Sequence, residues 1–343
     1  MNPDGPLLPA EPIVPTEPVL PSQPSTARKI FFGKDGLRAG WSLLIFIAIF
    51  AAIIFCVNVG LRKFLPHDPK AAMPGGETPP RFLLIAEGIP FAVTVFLTWI
   101  MSKIERRRVG VYGLGDNRKA AHFFAGLGWG VVCLSLLIFT LVKTGHLVFD
   151  NRLLFGSDVF RYGAIWLFGF FLVGLLEEYL MRGFVQYTLA RGFAGLYELA
   201  FKTRQSKALG FWTSALILSI LFGLGHGKNP GESPIGLLSA GLAGMVFCFS
   251  LWRTGSLWFA IGLHTSWDWG QSFLYGVADS GMMAQHHLFA THPAGPPLLS
   301  GGATGPEGSV FILAILVLFA LIIVFTLPRA RYDKPAEHSA MVS

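Results

Sequence analysis

Two adjacent glutamates and an arginine, Glu177, Glu178 and Arg182, stand at the end of an apolar run at 163–181. Ionisable side chains at membrane depth are costly and mark functional sites. Two more apolar runs carry polar intrusions at helical spacing, Phe222 with His226 in one and His264 with Asp268 in the other. On a helix, residues four apart share a face, whereas neighbours are turned by about 100°. Glu178 therefore faces Arg182 as an ionised anchor pair, and Glu177 points elsewhere, a desolvated carboxylate suited to general-base work. The same spacing puts His264 and Asp268 on one face, where Asp268 orients the imidazole and fixes its tautomer, or both face a water or a metal.

This residue set leaves two chemical routes open. Glu177, His226 and His264 supply two imidazoles and a carboxylate, a common catalytic zinc set with one open position for water. Without a metal, Glu177 and His226 deprotonate a water for attack on a peptide carbonyl, and His264 and Asp268 donate to the oxyanion. Both routes predict amide hydrolysis inside a membrane.

The elements that hold these residues follow from composition. Of 343 residues, 52% are hydrophobic and 14% charged, and the mean hydropathy is +0.55, which places the chain among integral membrane proteins. Apolar runs near the ~20 residues that span a bilayer occur at 40–59, 82–100, 121–142, 163–181, 210–225, 235–251, 257–273 and 310–327. They are solid Leu, Ile, Phe, Val and Ala without the alternation of barrel strands. The expected fold is an all-α bundle of about eight transmembrane helices, with the site enclosed by spans four to seven. Residues 1–39 form a proline-rich tail, 40–328 the membrane domain and 329–343 a second tail.

The net charge of +7 follows membrane topology rather than nucleic-acid binding, because Lys and Arg flank the apolar runs instead of building one basic surface. With the N-terminus inside, the cytoplasmic side holds Arg28, Lys29, Lys103, Arg106, Arg107, Arg108, Arg118, Lys119 and Arg253 among others, and 276–307 has no Lys or Arg. The positive-inside rule then puts both termini in the cytoplasm, and a bacterial inner membrane is the simplest location. The first 27 residues lack the apolar core of a signal peptide, so the first span is expected to stay as an anchor. Cys56, Cys133 and Cys248 lie in apolar runs and imply no disulfide framework.

Prolines at 3, 6, 9, 12, 15, 18, 21 and 24 repeat every three residues and suit a polyproline II spacer or a solvated extension. The stretches 68–80 and 291–307 read as Pro/Gly-rich connections. His286, His287 and His292 cluster in a loop that does not fix metal geometry. Gly113-Leu114-Gly115-Asp116 matches an aspartyl-protease motif by chance, since no second Asp lies in an early span to pair with it. The two-histidine zinc-protease pattern and the Gly-x-Ser-Gly of rhomboid-like proteases are absent.

Glu-Glu-x-x-x-Arg at 177–182, Phe-x-x-x-His at 222–226 and His-x-x-x-Asp at 264–268, in this order on separate spans, resemble the CPBP family of intramembrane proteases. Its relatives are type II CAAX prenyl endopeptidases and bacteriocin-immunity proteins. The resemblance covers about 160–275. It implies Glu177 and His226 as the water-activating pair, His264 and position 268 as the second half of the site, and Glu178 and Arg182 as support. Position 268 is often Asn in the family, and members are described both as metalloproteases and as glutamate-dependent hydrolases. The implied partners are a membrane-associated peptide or protein substrate and the bilayer.

Two other classes compete. A non-enzymatic immunity or scaffold protein gains nothing from desolvated charge, and a proton-coupled transporter built on a Glu–His relay is expected to show internal repeats, which are absent. One geometric demand remains for the hydrolase. Glu177 falls late in an inward span and His226 late in an outward one, so they meet only if the fourth helix continues through 184–189 and Gly223, Gly225 and Gly227 let His226 fold back.

Overall fold

The computed structural model describes residues 26–33, 36–61 and 76–329. The proline-rich repeat at 3–24, most of the 68–80 connection and nearly all of the C-terminal tail lie outside them. Eight long helical segments follow one another: α1 (Ala39–Leu61), α2 (Pro80–Ile104), α3 (Lys119–Lys143), α4 (Ser157–Phe201), α5 (Ser206–Gly225), α6 (Pro234–Thr254), α7 (Trp258–Trp269) and α8 (Ile312–Thr326). The first six are long and apolar enough to cross a membrane. α8 is a shorter apolar helix, and α7 is extended by a π-helical turn over Gly270–Tyr275. The protein is thus a helical membrane protein with six full-length candidate spans and two shorter helices, rather than eight uniform spans.

α4 is the element that positions the site. It is α-helical over Ser157–Glu177, π-helical over Glu178–Val185 and α-helical again to Phe201. Its 45 residues reach about 65 Å at ~1.5 Å per residue, well beyond the ~30 Å hydrocarbon core. A left-handed cap at Lys202 (φ 49°) ends it, and α5 returns antiparallel along its second half. Twenty residues of α5 retrace about 30 Å, which brings its C-terminal end back to the level of Glu178 and Arg182. The continuation past Arg182 expected from sequence is therefore present. His226 opens a 3-10 turn at the end of α5, but Gly223 serves another purpose there. A methyl at Gly223 would stand 2.5 Å from the Leu237 carbonyl, so this glycine permits close packing of α5 on α6.

A polar clamp fixes the lower half of α4. Arg191 Nη2 donates to Glu105 Oε1 at 3.1 Å, and the Ser42 hydroxyl donates to the same oxygen, tying α1, the end of α2 and α4 together.

α7, which carries His264 and Asp268, lies buried against α3, α4 and α6. Gly126 and Gly130 of α3 and Gly262 of α7 let two backbones meet, the small-residue packing that membrane helices use in place of a hydrophobic driving force. A side chain at Gly126 would run into the Phe259 carbonyl and lie 2.9 Å from Leu263 N. Gly126→Val is expected to destabilise by about 3 kcal/mol, the upper part of the overpacking range. Gly128→Val, where nothing lies within 4 Å of the new Cβ, is expected to leave a thermal melt in detergent unchanged.

The segment after α7 is more than the connection read from sequence. β1 (Leu147–Arg152) pairs antiparallel with β2 (Phe289–Pro293), and Glu77–Thr78 pairs with Met283–Ala284. Val277, Ala284, Leu288, Ser300, Thr304 and Ser309 are buried. Residues 276–311 form a folded cap over one end of the bundle. Its stability comes from this burial and from the ladder with β1, neither of which the Gly/Pro-rich composition of 291–307 discloses.

Candidate active site

The centre of the site is Glu178, fully buried on the π-helical segment of α4. Its Oε1 accepts from Arg182 Nη1 at 3.1 Å and stands 3.1 Å from His264 Nδ1. π-Helical turns are uncommon and concentrate at functional sites, and here the wider turn still delivers the expected Glu178–Arg182 contact. The guanidinium lies 4.2 Å from the Phe222 ring centroid and 5.4 Å from that of Phe247, a cation–π setting that suits a desolvated arginine.

His264 is tied by both ring nitrogens. Nδ1 meets Glu178, and Nε2 stands 3.8 Å from Glu177 Oε2 and 3.5 Å from Asp268 Oδ2. Asp268 contacts the imidazole, as its spacing on α7 predicts, but at Nε2. Glu178, reaching across from α4, contacts Nδ1, while Asp268 shares the Nε2 side with Glu177. The i,i+4 pair on α7 lies on one face as the spacing requires, but the bulkier constraint on the ring comes from outside the helix. Phe247 of α6 completes it by stacking on the imidazole at 5.1 Å with an interplanar angle of 21°.

Glu177 differs from its neighbour in its surroundings. Its side chain is 32% exposed, yet its Oε2 is buried and has no hydrogen-bond partner. One oxygen is thus held in reserve beside His264. His226 also neighbours Phe222, whose ring centroid is 4.7 Å from that of His226 and 6.4 Å from that of His264. His226 Nδ1 donates to the Phe222 carbonyl at 2.7 Å, since a carbonyl only accepts, and a neutral ring then carries its lone pair on Nε2.

The zinc set Glu177, His226 and His264 is not assembled. Among the described residues no three His, Cys, Asp or Glu side chains are arranged to hold a metal ion. His264 and His226 have Nδ1 held by Glu178 and by the Phe222 carbonyl, which leaves Nε2 as the nitrogen either ring could offer a cation. The outer histidines are also apart in function: His286 stacks on Tyr162, His287 Nδ1 meets the Ala284 carbonyl, and His292 Nδ1 meets Asp150.

Several residues that face the site are not evident from the three motifs. Glu87 of α2 is within electrostatic range of Glu177 and His264. Its signal was a lone acid inside an apolar run. Behind Asp268, the cap contributes Asp279 and Glu307, the only acids in 276–307. Gln271 Nε2 donates to Asp279 Oδ1 at 3.2 Å and to Glu307 Oε2 at 3.3 Å, and Ser280 donates its backbone N–H and its hydroxyl to Glu307 Oε1. Burial, with the nearby charges of Asp268 and Glu307, pushes the Asp279 carboxyl well above its ordinary range. The absence of Lys and Arg from this loop fits its role, since its two acids turn inward.

Gly113-Leu114-Gly115-Asp116 makes local contacts at the start of α3 and α7. Asp116 accepts from Arg118 N at 2.8 Å and contacts His122 Nδ1 at the start of α3; burial pushes its carboxyl up, and the bonds from Arg118, Ser256 and His122 together outweigh it and hold the group below its ordinary range. Leu257 N donates to the Gly113 carbonyl at 2.9 Å, which ties this loop to the start of α7.

Residues 159–270 match the family model for type II CAAX prenyl endopeptidase Rce1-like proteins. The match covers roughly a third of the chain and contains Glu177, Glu178, Arg182, His226, His264 and Asp268. No curated protein and no solved structure matches the chain.

Proposed function

We propose, from the Rce1-like domain that the chain carries over 159–270, that it is an intramembrane endopeptidase that hydrolyses a peptide bond of a membrane-associated substrate. The observation that carries the reading is the unpartnered Glu177 Oε2 turned towards His264 Nε2, beside an imidazole whose other nitrogen is fixed by a buried ion pair. A scaffold has no use for this arrangement.

In the proposed reaction Glu177 takes a proton from a water, and His226 Nε2 steadies the same water. The oxygen attacks the peptide carbonyl, whose π electrons move to oxygen. The protonated member of the His264–Asp268 pair donates to that oxyanion. Collapse of the intermediate breaks the C–N bond, and the proton held by Glu177 goes to the leaving amine. Glu178 and Arg182 act through His264 by holding Nδ1.

No step of the proposed reaction is routed through a metal. Cleavage by purified protein is expected to be unchanged after dialysis against a zinc chelator, measured as release of the C-terminal fragment from a peptide anchored in detergent micelles. Loss of cleavage with recovery on added zinc contradicts this step and restores Glu177, His226 and His264 as ligands. Both termini are placed on the cytoplasmic side of a bacterial inner membrane in this reading, on the strength of the Lys and Arg distribution.

A further inference from the structure

α6 carries none of the three motifs, yet one face of it touches residues of two of them. Gly244 and Phe247 are three apart and share that face. Phe247 stands between two motif residues, stacked on His264 and 5.4 Å from the Arg182 guanidinium. A methyl at Gly244 would stand 2.7 Å from Arg182 Nη2 and 3.1 Å from Ser219 Oγ. Arg182 is fully buried, and Nη1 donates to Glu178. The rest of the guanidinium is located by shape, between the Phe222 and Phe247 rings and over the bare backbone of Gly244.

Glu178 Oε1 serves Arg182 and His264 together, so displacing the guanidinium displaces the oxygen that orients the imidazole. We infer that Gly244 and Phe247 are positioning residues of this site: the missing side chain at 244 lets Arg182 reach Glu178, and the Phe247 ring sets the distance between Arg182 and His264. The catalytic consequence rests on the hydrolase reading, whereas the positioning of His264 does not.

Two readouts separate these claims. The first is the rate at which diethyl pyrocarbonate modifies His264, followed by mass spectrometry of full-length protein in phosphatidylcholine nanodiscs. It needs no substrate. The second is kcat and KM for peptide cleavage. Gly244→Ala and Phe247→Leu are expected to raise His264 modification several-fold. They are also expected to lower kcat by roughly 10- to 100-fold at near-constant KM, the scale of an ångström-sized misplacement.

Gly241→Ala is the control on the same helix, since its methyl would meet the Ser219 carbonyl at 3.3 Å and not Arg182. It is expected to match wild type in both readouts. Phe247→Leu keeps an apolar side chain and decides the matter if Gly244→Ala does not fold. His264 modification at the wild-type rate in folded Gly244→Ala or Phe247→Leu overturns the inference. If wild-type protein cleaves nothing while both variants expose His264, positioning stands and the hydrolase reading alone falls.

Discussion

Arg182→Ala is expected to be the most destabilising single substitution in the site, by about 3–5 kcal/mol, because it leaves Glu178 as an uncompensated buried charge. Glu178 is 0% exposed and Arg182 1% exposed, so water cannot take over the lost contact without opening α4 from α5 and α6. The pair itself is not expected to be a large net source of stability. Taking two charges out of water costs several kcal/mol per ion, and their attraction only offsets it when the geometry is good. The double substitution Glu178→Gln with Arg182→Met is therefore expected to recover most of the stability while failing to restore cleavage. Unfolding in detergent by thermal melt, compared across wild type, single and double variants, checks both halves. A single variant that melts with wild type contradicts the buried-pair account.

His264→Ala is expected to lower kcat by about 10³–10⁴-fold, the upper part of the usual contribution of one acid–base group, with only a small change in melting temperature. The reason lies in how its contacts divide. The ring meets Glu177 and Asp268 on the reacting Nε2 side and Glu178 at Nδ1, but the Glu178–Arg182 bond survives its removal. The variant therefore loses the group that faces the substrate and keeps the one that holds α4. Single-turnover cleavage of one peptide, with binding measured separately, distinguishes a lost chemical step from lost affinity. A rate close to wild type contradicts the role given to His264.

The sequence discloses the helices and the identity of the motif residues, because both signals are local. Runs of about 20 apolar residues set the spans, and i,i+4 spacing predicts the Glu178–Arg182 contact. Glu178 as the partner of His264 is not legible, since the contact joins residues 86 positions apart through the packing of α4 on α7. The π-helix over Glu178–Val185 is likewise invisible to an α-helical period. Phe247 and Gly244 sit in an apolar run with no polar mark, and their importance appears only when Arg182 is seen to occupy the space beside them. The cap residues Asp279 and Glu307 were hidden by a loop composition that suggests a linker. The match to an Rce1-like model over 159–270 agrees with the family resemblance that the motifs carry.

The most direct test of the central claim is incubation of a membrane-peptide library with purified wild-type protein and with Glu177→Gln, both confirmed folded, with new termini mapped by mass spectrometry. Glu177 Oε2 is buried and unpartnered beside His264, so an amide in its place keeps the shape and loses the base. New termini from wild type that are absent with the variant are the predicted result. Cleavage that survives Glu177→Gln, or no cleavage by either protein, contradicts the account.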